Sequence, residues 1–447
     1  MTRVQDKIDK ILGLSRADDC IVIVAETSSA NVRWANNTST TNGVSNQGRL
    51  QVISVIGGAV GSVNSTYFPD DSLEDLVRAS EMACQGRPKA PDQMPLPQGD
   101  AGAQWDEPFE ETDISGFRLV NEDLGRLFKE ASSEGVLLFG YADQSSSTFY
   151  LGTSGGVRGR FLKRIAGFQL NAKTPDFKTS VARTSLFNSI AEAQPQAIYD
   201  DLTRRLDWSK KTISMPAGRY PVILQPAAMA ELLYYMLTQM GARDADEGRS
   251  AFSKTGGGNR IGEKFFADGV DIYSDPAEPG LEFPPFDVKV GTGSFGSVFD
   301  NGAPVTRVDW ARDGVLQALI TPRYWAAKSG GDPKIYPGNL ILSGDESKSL
   351  DEMIASTDKA LLVTRFWYTR MLDPQKLLVT GMTRDGVFLV EDGEVKGAVN
   401  NFRYNMSPID TLAKTTELGE TDKAFSIVRA PTARVSDFHM SSVSEAS

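Results

Sequence analysis

One histidine, His439, and two cysteines, Cys20 and Cys84, are the whole imidazole and thiol complement of this 447-residue chain. Metal hydrolases and Ser/His or Cys/His catalysts need at least one imidazole as base or ligand, and zinc sites usually take two or three His or Cys. His439 lies in Ser436-Asp437-Phe438-His439-Met440 near the C-terminus, where a structural or surface role is expected. Gly291-Thr292-Gly293-Ser294-Phe295-Gly296-Ser297-Val298 has the spacing of a kinase glycine-rich loop, whose amides would cover phosphates. No His-Arg-Asp or Asp-Phe-Gly follows it, and Asn301-Gly302-Ala303-Pro304 reads as a turn where a Rossmann motif would start a helix. A glycine-rich turn between strands is the expectation. Asp244-Ala245-Asp246-Glu247-Gly248 resembles the start of an EF-hand, but its glycine comes one residue early and Thr255 stands where a bidentate Glu belongs, so calcium is not implied.

The elements that would position such groups follow from apolar periodicity. Val4, Ile8, Ile11 and Leu12 recur at helical spacing, and Ile21-Val22-Ile23-Val24-Ala25 reads as a buried strand. Strands near 32–35, 50–56 and 59–67 suggest an antiparallel meander, and Ser72-Leu73-Glu74-Asp75 a capping-box helix start. The Pro-rich, acidic segment 85–113 reads as a solvated crossing linker. A helix bearing Phe117, Val120, Leu124 and Leu127, four strand-like runs and a helix over 197–206 lead to a boundary at Ser209-Lys210-Lys211. The reading is therefore α+β: an N-terminal domain over 1–211 with a mostly antiparallel sheet, and a β-rich barrel or sandwich-like domain over 212–447 carrying one strong helix, 227–240.

Length and composition support two sizeable cores, with 40% hydrophobic and 23% charged residues. A net charge of −11, with Lys and Arg scattered, argues against nucleic-acid binding. The charged stretch 1–14 is not a signal peptide, and Gln225, Pro226, Glu231 and Gln239 interrupt the apolar run 220–240, so a membrane span is not expected. Two cysteines fit reduced thiols in a cytoplasmic protein.

In order along the chain, Gly218-Arg219-Tyr220-Pro221-Val222-Ile223-Leu224-Gln225-Pro226, Gly248-Arg249-Ser250-Ala251-Phe252-Ser253, Ile261-Gly262-Glu263, Gly338-Asn339-Leu340 and Ser349-Leu350-Asp351-Glu352-Met353-Ile354 resemble the TldD/PmbA family of peptidase subunits, historically called modulators of DNA gyrase. Val32-Arg33-Trp34-Ala35-Asn36-Asn37 fits as well, so the resemblance spans nearly the whole chain. Family members of the TldD type carry His-Glu-x-x-x-His on the helix after the Tyr-Pro-Val strand, supplying two zinc ligands and a general base. Here Tyr234 and Tyr235 stand in place of the first His and the Glu, and Gln239 in place of the second His. The family's further cysteine ligand lies C-terminally, whereas both cysteines here are N-terminal. The family's Gly-Asp-Phe-Ser-like turn is replaced by 380–388, although Glu391-Asp392-Gly393-Glu394-Val395 resembles the hairpin that follows.

The resemblance implies a TldE/PmbA-like subunit without zinc of its own, paired with a TldD-like His-Glu-x-x-x-His subunit that holds the zinc and acts on unfolded peptide. Arg249, Ser250, Phe252 and the glycine loop (Gly291, Gly293, Gly296) are the candidate chamber or interface elements. The competing expectations are a homodimeric binding or scaffold protein without peptidase activity, and a metal-independent hydrolase using His439.

Overall fold

The structure is a computed structural model, and it describes residues 3–345, 347–425 and 427–444. Helix α1 (Val4–Leu14) leads into a meander of β1 (Asp19–Ala35), β2 (Thr38–Ile56) and β3 (Ala59–Ser65). The β1–β2 turn is made by Asn36 and Asn37, both at positive φ (50° and 57°), as a tight primed hairpin turn demands. Helices α2 (Leu73–Met82) and α3 (Gly116–Glu134) precede β4 (Leu137–Thr153), β5 (Arg158–Lys173) and β6 (Ser180–Phe187), and α4 (Pro195–Trp208) ends this half. The six strands form one antiparallel sheet, order β3-β2-β1-β4-β5-β6.

Period-two alternation gives this sheet two different faces. Val22, Val24, Leu50, Val52 and Tyr150 face one way and pack beneath α1 and α2. Farther along, Val32, Trp34, Phe168 and Leu170 pack under α3 and α4. Ile21, Ile23, Ile53 and Leu151 face the other way, toward Leu96, Val298 and Phe299. The segment 85–113 that crosses this region is no solvated linker: Asp92, Leu96, Trp105 and Thr112 are buried. The Trp105 carbonyl accepts from Gln5 (2.8 Å) and Glu107 from Arg160 (2.8 Å), so its prolines hold an extended strap against the sheet. Nor does Ser72 form the expected capping box. Its hydroxyl donates back to the Pro69 carbonyl (2.9 Å), and it makes no side-chain cap bond.

The second half is built of β7 (Thr212–Ile213), β8 (Gly218–Leu224), β9 (Asp271–Ser274), β10 (Val308–Arg312), β11 (Val315–Leu316), β12 (Leu340–Ser343), β13 (Lys359–Val363), β14 (Phe366–Asp373), β15 (Leu378–Thr383), β16 (Val387–Glu391), β17 (Glu394–Val399), β18 (Phe402–Met406), β19 (Thr415–Ala424) and β20 (Val428–Val443). They form one mixed sheet with the main order β11-β10-β9-β12-β20-β8-β13-β16-β17-β7, while β14, β15, β18 and β19 branch off around β20. The ends of that order do not meet, so the sheet does not close into a barrel. The apolar run 220–240 is not one helix: Tyr220 to Leu224 pairs as β8, and Pro226 opens α5 (Pro226–Leu237), where its missing N–H is harmless. Among the described residues no helix is long and apolar enough to cross a membrane. The halves share a core, since Ile223, Leu362 and Phe388 of the second sheet pack with Leu127, Phe168 and Leu202 of the first half.

Candidate functional site

Helix α5 is fixed by burial: Met229, Leu232, Leu233 and Met236 are each at most 1% exposed. Its polar face turns toward β14 and β18. The Tyr235 hydroxyl donates to the Thr369 carbonyl, and the Thr369 hydroxyl shares a 2.8 Å hydrogen bond with the Tyr404 hydroxyl. One turn back on α5, burial raises the Glu231 carboxyl, with a hydrogen bond from Thr369 opposing the rise. Burial and the nearby Glu231 also raise the Tyr235 phenol, and burial raises Tyr404. Tyr234 is 45% exposed, with its ring edge-on to Tyr235 at 5.9 Å. The helix stops at Leu237, so Gln239 lies in the turn beyond it, its amide donating to the Thr238 carbonyl (3.2 Å). Zinc requires deprotonated thiolate, neutral imidazole or carboxylate donors at tetrahedral positions. A phenol at the Tyr234 position, the raised Tyr235 phenol already committed to the Thr369 carbonyl, and an amide beyond the helix end do not fit that ion. Among the described residues no three His, Cys, Asp or Glu side chains converge as a metal-binding group.

The remaining candidates scatter. Arg249 is half-exposed and paired with Asp244 and Glu247. Asp246 accepts from Asn259 (2.7 Å) and Trp325 (2.8 Å), so the carboxylates of the EF-hand-like run are committed to partners within the chain. Ser250 is buried, its hydroxyl accepting from the Phe252 amide (3.1 Å). Phe252 is 0% exposed and packs on Phe265 at 5.3 Å, in the core where neither peptide nor partner reaches it. Gly293 and Gly296 close a turn with mutual backbone hydrogen bonds of 2.9 and 3.4 Å, and Gly291 enters it. Asp92 from the strap pins that turn, accepting from Thr292 (2.8 Å) and Ser297 (2.6 Å). The hydroxyls that could reach a phosphate thus serve a carboxylate. His439 lies in β20 opposite Arg219. No Gly-x-Ser-x-Gly elbow was expected beside His439, yet Ser154 has that spacing, in Gly152–Gly156; it sits at the end of the other sheet with its hydroxyl donating to Asp19 (3.1 Å) and accepting from the Cys20 amide (3.1 Å).

A cleft of about 700 Å³ opens instead between the first sheet and the loops of the second half. The sheet contributes Ile23, Gln51, Phe149, Phe161 and Lys163, and the loops contribute Phe283, Phe286, Asp287 and Tyr336. Two rings form its roof by lying on bare backbone. A Cβ on Gly159 would stand 2.5 Å from the Phe286 ring, and one on Gly338, which also has φ +118°, 2.2 Å from Phe283. Lys163 Nζ stands 3.3 Å from the Phe283 ring centroid, and burial lowers this ammonium to about 8 although the Glu282 charge favours it. Burial pushes Asp287 up to about 6 against the pull of Lys289, 2.7 Å away. A second hollow shares Phe161 and Lys163 and reaches Phe425, whose ring lies 6.5 Å from that of Tyr234. None of these residues was a sequence candidate. The one local signal is Phe283-Pro284-Pro285-Phe286, where two prolines stiffen a loop between exposed-looking aromatics.

Residues 217–442 match the PmbA/TldA metallopeptidase C-terminal domain family. No curated protein sequence matches the chain. Among solved structures, TldE of Thermococcus kodakarensis superposes with a TM-score of 0.79 at 15% identity, covering 97% of this chain and 99% of that one. A candidate modulator of a DNA gyrase from Thermotoga maritima superposes at 0.79 and 17% identity, with the same 97% and 99% coverage. A candidate modulator of DNA gyrase from Bacteroides thetaiotaomicron superposes at 0.76 and 16%, covering 97% of each chain. At these identities the structures speak for the fold, and the sequence match over half the chain speaks for descent: the chain belongs to the TldD/PmbA family.

Proposed function

We propose that this chain is the non-catalytic, TldE-like subunit of a two-subunit cytoplasmic zinc peptidase. Its partner carries His-Glu-x-x-x-His and the zinc, and the substrate is unfolded peptide. The observation that carries this reading is α5, which keeps the family's strand-Pro-helix setting while Tyr234 and Gln239 occupy the ligand positions and Tyr235, at the general base's position, bonds within the chain. The polypeptide contributes walls and strand edges. β3 pairs with β2 only from Leu50 onward, and among the described residues no strand covers the outer edge of β2 over 38–49. Such an edge accepts another chain's backbone with little regard to sequence.

Co-expression with a family subunit bearing His-Glu-x-x-x-His tests the proposal. A stoichiometric complex whose peptidase activity is lost to chelators is expected. A stable homodimer that recruits no such subunit would replace it with the scaffold reading, and tightly bound stoichiometric zinc in the isolated chain would overturn it.

A further inference from the structure

The cleft holds polar atoms that the fold leaves unsatisfied. Asp287 is 4% exposed and its Oδ2 has no hydrogen-bond partner. Gln51 is 5% exposed; its amide donates to the Val290 carbonyl (2.9 Å) while its Oε1 has no partner. The buried Tyr336 hydroxyl has none either. Among the described residues no carboxylate lies within salt-bridge distance of Lys163, which rests on a phenyl ring, with Glu282 as the acid whose charge it feels. Buried polar groups are ordinarily paired, and three such unpaired atoms line this one cleft beside the unbridged Lys163.

We propose that this cleft binds the C-terminal end of an apolar peptide, its α-carboxylate on Lys163 and its last side chains among Phe161, Phe283 and Phe286. The inference rests on the reading of the chain as a peptide-handling subunit and names which part of the peptide it holds. Charge complementarity favours an anion: Asp287 and Lys289 offset one another, leaving Lys163 inside, felt by Glu282 without a salt bridge to it, and Arg49 at the exposed rim. The walls require an apolar body, since a hydrophilic anion alone would lose its hydration for little burial. The two unpaired acceptors, Gln51 Oε1 and Asp287 Oδ2, require N–H donors, which the terminal residues of a peptide bring and a fatty acid lacks. A phosphate-bearing ligand would place further negative charge beside Asp287. A cleft of about 700 Å³ falls within the range that holds a ligand of drug size, hence a short peptide. Burial lowers the Lys163 ammonium, and a carboxylate beside it would restore the charged form.

The test is fluorescence anisotropy of the full isolated chain with an N-terminally labelled Ala-Ala-Leu-Phe peptide, as free acid and as C-terminal amide, with unlabelled decanoate as competitor. The acid is expected to bind at least about tenfold more tightly than the amide. Lys163→Met should erase that difference while leaving amide binding unchanged, and Lys163→Arg should keep most of it. Equal binding of acid and amide, no binding of either, or an acid preference that survives Lys163→Met would overturn the proposal. Decanoate that binds where the peptide does not would overturn the peptide assignment. Because no partner subunit is present, failure here leaves the two-subunit reading standing, and failure of complex formation leaves this site standing.

Discussion

The polar face of α5 and the aromatic cleft are both lined by phenols, a buried acid and apolar walls, yet they end in opposite states. On α5 the Tyr235, Thr369 and Tyr404 hydroxyls all have partners within the chain. In the cleft, Tyr336, Gln51 and Asp287 each keep an atom without a partner. A site whose polar groups are consumed internally contributes stability, whereas one that leaves them open gives up stability for binding. At the position that resemblance marks as catalytic the hydroxyls are thus bonded within the chain, whereas the cleft outside the family's metal motif leaves polar atoms open.

The contrast can be broken or sharpened by substitution. Phe252→Ala, in the core behind the Gly-Arg-Ser segment, should cost about 3–5 kcal/mol in urea unfolding, while Arg249→Ala nearby should stay within about 1 kcal/mol because its ion pairs are exposed. A small effect at Phe252 would mean that the segment is not packed as described. Next in size is Tyr404→Phe, which removes one of the two partners of the Thr369 hydroxyl, the other being Glu231, and should cost about 1–2 kcal/mol. The same deletion at Tyr336 removes a hydroxyl with no partner and should be neutral or stabilising. If the two changes cost the same, the distinction between the regions fails.

A smaller effect should appear with pH. Lys163 has a folded value near 8, below its unfolded value, so the unfolded chain holds the proton longer and this residue's contribution to stability rises from pH 8 to pH 10. Asp287, raised to about 6, works in the other direction: its contribution rises as pH falls from 7 to 4. Unfolding midpoints of wild type and Lys163→Met from pH 7 to 10 should converge, and parallel curves would show that Lys163 is not desolvated. The smallest effect is expected at Asp437, held at about 2 by Arg219 and Lys414. Its contribution is present above about pH 4 and fades as pH falls toward 2, and solvent screening keeps it small.

Sequence reading found what apolar periodicity encodes and missed what polar residues conceal. The helices over Gly116–Glu134 and Pro195–Trp208 announced themselves through spaced Phe, Val and Leu. The hairpin over Glu391–Val395 was marked by its resemblance to the family's, and its Asp392 and Gly393 do adopt positive φ. In contrast, β1 runs unbroken for 17 residues through Glu26-Thr27-Ser28-Ser29, and β2 for 19 through Thr38–Gly48. Without an apolar alternation, strand and loop look alike there, and only pairing with neighbours decides. The positions of Tyr234, Tyr235 and Gln239 were legible because they sit at fixed distances from one strand and one proline. The cleft was not, because Gln51, Lys163, Asp287 and Tyr336 come from four distant segments that only the packing of two sheets brings together.

The uncovered edge of β2 has a measurable corollary. In an antiparallel pair, alternate residues direct both N–H and C=O toward the same neighbour, so over Thr38–Arg49 every second amide is bonded to β1 while those between face water. Amide hydrogen exchange along this stretch should therefore oscillate with a period of two residues. A strand docking on the edge would flatten that oscillation, so the isotope pattern of a dozen amides would report the arrival of a partner before its identity is known.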